Sequence, residues 1–319
     1  MTALSDTIAA QPEQLESALS VLVEDAAELI GGSKRLWLVG TGTSQHAAEL
    51  GALMFGPGRR DARWRSSASF CGDPPALTAD DAVLVISHTT ETAFARRARA
   101  YALESGAALV SITAQGKGWP EAIEAAPLER AETYTASYLA ALVVLARLSI
   151  AVGEPGFDER QLSELPGRVR AAAQAPAVLD AAPERLLVLA GVGPAAVTAR
   201  EGALKFREGA RLPAEGYEAE YLLHGIAVPL GHGDALLAIQ PSDDPFGLLD
   251  LLAAAAAGEG LEVRTVTEPG GLHPLLAQIP LTVRLQKLAS ELADARGFDP
   301  DKVILGGWAA DRLWQTGAP

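Results

Sequence analysis

The chain carries one passage twice, and nothing else in it constrains the fold as strongly. An apolar run ending in a glycine turn, Arg35 to Gly42, returns as Arg185 to Gly193, and Gly51-Ala-Leu-Met-Phe55 returns as Gly202-Ala-Leu-Lys-Phe206. The offset from Gly42 to Gly193 is 151 residues, and so is that from Phe55 to Phe206. Asp81 to Ser87 matches Asp234 to Gln240 at an offset of 153, and Gly106 to Thr113 matches Gly260 to Thr267 at 154. Matched stretches in one order with a slowly drifting offset describe two copies of one domain, about 150 residues each.

Within each copy, short apolar, β-branched runs alternate with Ala- and Leu-rich stretches at helical spacing, such as Ser44 to Phe55, Thr92 to Glu104 and Ala195 to Glu208. That alternation predicts βαβ units, hence an α/β fold in which each copy is a doubly wound parallel sheet flanked by helices. The expected layout is lead-in helices over 1–33, a first domain over 34–155, a linker helix over 156–183, a second domain over 184–300 and a tail over 301–319.

Charge narrows the function. The 319 residues carry 26 Lys and Arg against 40 Asp and Glu, a formal charge of −14. Such a chain repels phosphodiester backbones, so no nucleic-acid partner is expected. An anionic ligand would have to be held by hydroxyls and local dipoles against the global field. The only lysines are Lys34, Lys117, Lys205, Lys287 and Lys302, so a lysine inside a motif is informative. Cys71 is the sole cysteine, which leaves no internal disulfide and no Cys-rich metal site. His46, His88, His224, His232 and His273 lack ligand spacing, and neither a metal nor another cofactor is expected. Met1 to Gln14 lacks the segments of a signal peptide, and the longest apolar stretch, Ser137 to Gly153, is broken by Arg147 and too short for a bilayer. The expected compartment is the cytoplasm, with no membrane partner.

Function should lie where the copies stop matching. In copy one the first strand runs into Gly40-Thr41-Gly42-Thr43-Ser44 and the second into Ser87-His88-Thr89-Thr90-Glu91-Thr92, each followed by a helix. Loops at the carboxyl ends of parallel strands are where such sheets bind ligands. Glycines allow close backbone approach, helix N-termini offer N–H groups, and Ser44, Ser87, Thr89 and Thr92 add hydroxyl donors. Together they suit a terminal phosphate without Arg or Lys; the plainer alternative is that these side chains only cap helices. The equivalent loop of copy two, Gln240-Pro241-Ser242-Asp243-Asp244-Pro245, has two carboxylates that would repel phosphate. Neither a dinucleotide fingerprint nor a Walker loop is present, because Gly40-Thr-Gly42-Thr-Ser-Gln45 lacks the third glycine and no acidic residue ends the second strand.

Copy two places Glu201, Lys205 and Glu208 along one helix face. The alternative is a solvated salt-bridged stripe. The carboxylate-rich segment Glu215 to Glu220 then leads to His224. A Glu and a His beside a sugar phosphate are what proton transfer next to a carbonyl needs: a base for the carbon acid and a group to open the ring.

These residues resemble the sugar isomerase (SIS) domain family, most closely the isomerase half of glucosamine-6-phosphate synthase, over about residues 30 to 302. Gly42-Thr43-Ser44 resembles the family's G-T-S loop, Ser87 to Thr92 its S-x-S-G-E-T loop, and Glu132 to Ser137 its T-K-S-Y-T-A segment. Glu201-Gly-Ala-Leu-Lys205-Phe-Arg-Glu208 matches E-G-A-L-K-x-x-E, and His224-Gly225 matches the start of H-G-P. The resemblance implies two tandem SIS domains. It implies that Thr43, Ser44, Ser87, His88, Thr89 and Thr92 bind the phosphate of a sugar in the fructose-6-phosphate or glucosamine-6-phosphate class. It assigns Glu208 as the base between C1 and C2, His224 to ring opening at the neighbouring subunit's site, and Lys205 to orienting the carboxylates. A homodimer is implied as well.

The departures are specific. His88 and Thr90 replace the usual Gln and Gly, Glu132 stands at the family's Lys position, and Ile226 replaces Pro. The tail lacks the family's Schiff-base lysine: Lys302 comes several residues early, and Trp308 and Trp314 either line a pocket or pack. No nucleophilic cysteine follows Met1, so glutamine-dependent synthesis is not expected. The expectation is an aldose–ketose isomerase or an amino-sugar-phosphate isomerase or deaminase; the alternative is a sugar-phosphate sensor without turnover.

Overall fold

The computed structural model describes residues 2–56, 60–153, 156–240, 244 and 246–319. Helices α1 (Ala3–Ala9), α2 (Gln11–Ala18) and α3 (Glu24–Gly31) precede β1 (Arg35–Gly40). There follow α4 (Thr43–Met54), β2 (Asp61–Ser66), α5 (Ser67–Gly72), β3 (Asp81–Ile86), α6 (Ala93–Ser105), β4 (Ala108–Ala114) and β5 (Ala122–Ala126). After α7 (Ala136–Ala151) and α8 (Glu159–Gln174) come β6 (Leu187–Gly191), α9 (Pro194–Glu208), β7 (Ala214–Glu218), α10 (Ala219–Tyr221), β8 (Ala235–Gln240), α11 (Leu248–Gly258), β9 (Glu262–Thr267), α12 (Pro274–Arg296) and α13 (Asp311–Gln315).

The strands form two sheets, ordered β2-β1-β3-β4-β5 and β7-β6-β8-β9, with every pairing parallel. The second order repeats the first four strands of the other sheet. In both, the chain leaves its first strand toward one edge and returns past it toward the other. That change of direction opens a crevice between β1 and β3, and its counterpart between β6 and β8.

Two compact units hold these sheets. One comprises Gln11–Glu129, Ala136–Pro166 and Ile304–Pro319, and the other comprises Met1–Ala10, Arg130–Thr135 and Gly167–Val303. In the first, Trp37, Val39, Val83 and Val85 pack against Phe70 of α5 and Ala95, Ala98 and Ala102 of α6. In the second, Leu187, Leu189, Leu237 and Ile239 face α9 and α12, while Val188, Ala190, Leu236 and Ala238 face α11. Successive strand residues point to opposite faces, so continuous apolar runs are what a sheet covered on both sides requires.

The short strap Arg130–Thr135 is tied within its unit by Thr133 Oγ1 donating to Pro300 O at 2.7 Å and Val303 N donating to Glu132 Oε2 at 2.8 Å. Glu132, the departure from the family lysine, is thus occupied in holding backbone. Asp301 in turn accepts from Ala3 N and Leu4 N at the start of α1, at 2.7 and 2.8 Å.

The repeat extends to backbone detail. A Cβ on Gly40 would lie 2.3 Å from Ser44 O, and one on Gly191 would lie 2.4 Å from the carbonyl carbon of Ala195. Each glycine lets a helix start tightly against the end of its strand. Gly51 and Gly202 admit Leu38 and Leu189, which are themselves 151 residues apart, to the same close contact with a helix.

Candidate functional site

The copy-one loops leave the carboxyl ends of β1 and β3, adjacent strands flanking the crevice of their sheet. Thr43 and Ser44 open α4, and both are half-buried. Gly42 is the N-cap of α4, at φ 55° and ψ −129°, and as a glycine it offers no side chain to cap the helix. Thr92 is the N-cap of α6, and its hydroxyl caps nothing. At α6 the capping alternative therefore fails: the Thr92 hydroxyl is not spent on the N–H groups beside it.

Ser87 is only 3% exposed, and among the described residues its Oγ has no hydrogen-bond partner. A buried hydroxyl left unpaired costs free energy, so packing alone does not account for Ser87 Oγ. Thr89 Oγ1 accepts from Glu91 N at 3.2 Å, which leaves its proton to donate. Thr90, where the family has glycine, sits at φ 62° in the left-handed region. His88 behaves differently. Its Nε2 accepts from Glu129 N at 3.1 Å, so the neutral ring carries its proton on Nδ1. Burial holds His88 below the usual histidine range, opposed by the Glu129 carboxylate and assisted by the Lys117 ammonium. His88 thus brings no positive charge to the loop. Glu129 accepts from Ser137 N at 2.8 Å and Ala136 N at 3.3 Å, so His88 also steadies the start of α7.

One residue here escaped the sequence reading. Lys117, in the loop after β4, lies 3.4 Å from Glu91 Oε1 of the phosphate-type loop, with its side chain 19% exposed. The signal was available in the scarcity of lysine and in the glycines on either side of Lys117.

In the other unit, α9 carries Glu201, Lys205 and Glu208. Lys205 Nζ lies 2.6 Å from Glu208 Oε2 and 3.5 Å from Glu201 Oε1. The side chains of Glu201 and Lys205 are 0% and 1% exposed, and that of Glu208 is 23% exposed. This is no solvated stripe: a buried lysine is shared by two carboxylates, of which Glu208 alone reaches the surface. Nearby, Tyr217 donates to Glu215 Oε2 at 2.5 Å, and burial together with that carboxylate pushes its phenol up to about 12. Glu215 also lies 3.7 Å from Arg207 Nη2.

His224 is exposed, in a π-type turn (Leu222–Ile226) closed by Ala227 N donating to Leu222 O at 2.9 Å. Gly225, at φ 105°, turns the chain immediately after it. Such turns interrupt helical geometry and present side chains that a regular helix would not. In the copy-two counterpart of the Ser87 loop, Pro241, Ser242, Asp243 and Pro245 lie outside the described residues. Trp308 and Trp314 are 78% and 49% exposed, joined by Trp314 Nε1 donating to Trp308 O at 2.7 Å. Among the described residues no group of three His, Cys, Asp or Glu could hold a metal ion, and no helix is long and apolar enough to cross a membrane.

A family model described as the SIS domain matches residues 29–119. Glutamine–fructose-6-phosphate aminotransferase (isomerizing) from Aeropyrum pernix is 28% identical over 344 residues, covering 92% of this chain and 54% of that protein. The protein of the same name from Sphingobium yanoikuyae is 33% identical over 138 residues, covering 38% of this chain and 87% of that sequence. The chain spans about half the length of the curated relatives that it matches along most of its own length. Among solved structures, glucosamine-6-phosphate deaminase from Thermotoga maritima superposes with a TM-score of 0.78 at 20% identity, over 95% of this chain and 97% of that one; the likeness is one of fold.

Proposed function

The chain belongs to the SIS domain family, and from that premise we propose that it is an enzyme acting on a hexose 6-phosphate, an aldose–ketose isomerase or an amino-sugar-phosphate isomerase or deaminase. The observation that carries the reading is the trio of α9, a buried lysine shared by a buried carboxylate and one that reaches the surface. At the matching positions of α4, copy one has Leu50 and Met54, both buried. Apolar residues thus satisfy this architecture, and a buried lysine with two carboxylates brings desolvation that packing alone would avoid. A role in chemistry accounts for it.

In the proposed reaction, Glu208 removes a proton from C2 of the open-chain aldose and returns it to C1, through an enediol; the reverse step starts from the ketose. Lys205 fixes the Glu208 carboxylate and supplies its counter-charge, while Glu201 fixes Lys205 from the buried side. His224 exchanges the proton of ring opening. Thr43, Ser44, Ser87, Thr89 and Thr92 hold the phosphate, with His88 contributing Nδ1–H. A homodimer is part of the proposal: His224 is exposed on a segment that also exposes Tyr221, Leu223 and Val228, as a residue serving a second copy would be. The cytoplasm is the proposed compartment.

The test is NMR in D2O with fructose 6-phosphate, glucose 6-phosphate and glucosamine 6-phosphate. Deuterium entering C1 or C2 supports the reading and identifies the sugar. Glu208→Gln should keep binding and lose exchange; exchange that survives removes Glu208 from the mechanism. Ser87→Ala with Thr89→Ala should weaken binding of every phosphosugar, and unchanged affinity would refute the phosphate assignment. A sensor without turnover is the second reading, favoured by the absence of any lysine between Lys302 and Pro319. It predicts binding with no exchange.

A further inference from the structure

We propose that Lys117 is a phosphate-binding residue of the copy-one loops, held in reserve by Glu91 and released to the ligand when the anion arrives; this rests on the phosphate site proposed above. Lys117 stands between Gly116 and Gly118, both in the left-handed region at φ 73° and 74°. Gly116 N donates to Glu124 Oε1 at 2.8 Å, so the turn presenting the lysine is anchored through its backbone. β4 lies beside β3, and Ala114 N donates to His88 O at 3.0 Å, which ties the base of the Lys117 loop to the Ser87 loop.

The ion pair is lopsided. The Lys117 side chain is 19% exposed and that of Glu91 is 76% exposed, at 3.4 Å. A sheltered ammonium gains little from a carboxylate that water surrounds on most sides. A phosphate carries more charge and three strong acceptor oxygens, so it is the better partner. The buried, unpartnered Ser87 Oγ independently marks a place for an oxygen on the same loop. With His88 kept neutral by its surroundings, Lys117 is the cation for that oxygen's charge. In a chain of net charge −14, one sheltered cation at the mouth of an anion site also offsets the repulsive field that an arriving phosphosugar meets.

Glu91 then has a definite role. It neutralises Lys117 in the empty site and competes with the ligand for it. Removing the competitor should therefore tighten binding, which a merely structural salt bridge would not do.

The experiment titrates the full chain with glucose 6-phosphate, fructose 6-phosphate and inorganic phosphate, with glucose as the uncharged control, by calorimetry. Lys117→Gln should weaken the phosphorylated ligands about tenfold and leave glucose unaffected. Lys117→Arg should retain most of the affinity. Glu91→Gln should tighten the phosphorylated ligands, and the tightening should vanish in the Lys117→Gln background. If Ser87→Ala weakens binding while Lys117→Gln and Glu91→Gln change nothing, Lys117 is outside the site and this inference is wrong, with the phosphate site intact. If none of the three alters affinity, or the unmodified chain binds none of the probes, the phosphate site itself is wrong and the inference falls with it. Should Lys117→Gln fail to fold, Glu91→Gln still decides: unchanged or weaker binding overturns the proposal.

Discussion

Helices α4 and α9 begin alike and end differently. Both start after a glycine at nearly the same backbone angles, Gly42 at φ 55° and ψ −129° and Gly193 at φ 57° and ψ −123°. Both press a glycine, Gly51 or Gly202, against a strand leucine. On either side of that glycine, α4 buries Leu50 and Met54 where α9 buries Glu201 and Lys205. The geometry shared by both helices is what the sheet demands; the charges on α9 are an addition to it. The second loop of copy one is an addition of the same kind, with an unsatisfied serine where folding alone asks for none. The copies differ in where they depart from the shared plan: one is elaborated in its loops, the other in a helix.

Exchanging residues between the copies tests that division. The largest effect is expected from Lys205→Met, which installs the copy-one residue and removes the ammonium that the buried Glu201 shares with Glu208. A loss of about 3–5 kcal/mol in urea unfolding is expected. Adding Glu201→Leu should restore most of it, because the apolar pair is what α4 already uses. Both forms should lack proton exchange. If the single variant is as stable as the parent, the trio is not the ion-paired core described above.

A middle-sized effect separates the two strand starts. Asp81, fully buried, accepts from Arg35 Nε at 2.5 Å, Arg35 Nη2 at 2.8 Å and Thr78 N at 2.7 Å. Its counterpart Asp234 accepts from Leu186 N and Gly231 N and has Arg185 only at 3.6 Å. The Arg35 guanidinium holds the Asp81 carboxyl below the usual range, followed in effect by its bonds to Thr78 against the opposing pull of burial. A carboxyl depressed in the folded state stabilises above its unfolded pKa, about 3.9, and loses that contribution as pH falls through the folded value. Asp81→Asn should therefore cost about 1–3 kcal/mol at neutral pH. The difference from the parent should shrink below about pH 4. Asp234→Asn should cost less. Equal losses at neutral pH would show that the arginine contact does not distinguish the two sites.

The smallest effect is Thr90→Gly. Relieving a β-branched residue at φ 62° should add up to about 1 kcal/mol, less the loss of the Thr90 Oγ1 bond to Thr89 O at 2.6 Å. A gain in melting temperature with weaker phosphosugar binding would mean that the strain serves the loop.

The central strands β1, β3, β4, β6 and β8 were legible because burial on both faces leaves an apolar run, and all lie in the repeated passages. The edge strand β9, largely exposed, was legible only through its match to β4. The edge strands β2 and β7 were not. β2 reads Asp-Ala-Arg-Trp-Arg-Ser and is largely exposed, and β7 runs through Glu215 and Glu218, so neither carries a hydrophobic pattern. Ser87 and Glu208 were visible as members of motifs, but their burial depended on neighbours far along the chain. The choice between a helix cap and an unpaired hydroxyl rests on backbone angles that composition does not encode. Lys117 meets Glu91 only because β4 adjoins β3, a contact across 26 residues of sequence.

The interleaving of the units bears on how the protein is made. The chain passes between its two units five times. The unit holding α9 anchors α1 on Asp301, so its first piece waits on the ribosome for nearly its last. The other unit is completed only by Ile304–Pro319, where Arg97 donates to Gly317 O and Ala318 O at 2.6 and 3.1 Å. During translation, therefore, the contacts that hold α1 in its unit form only after Asp301 has been made. A gene cut at the boundary between the repeats would leave each product missing parts of its own unit, although the sequence reads as two domains placed end to end.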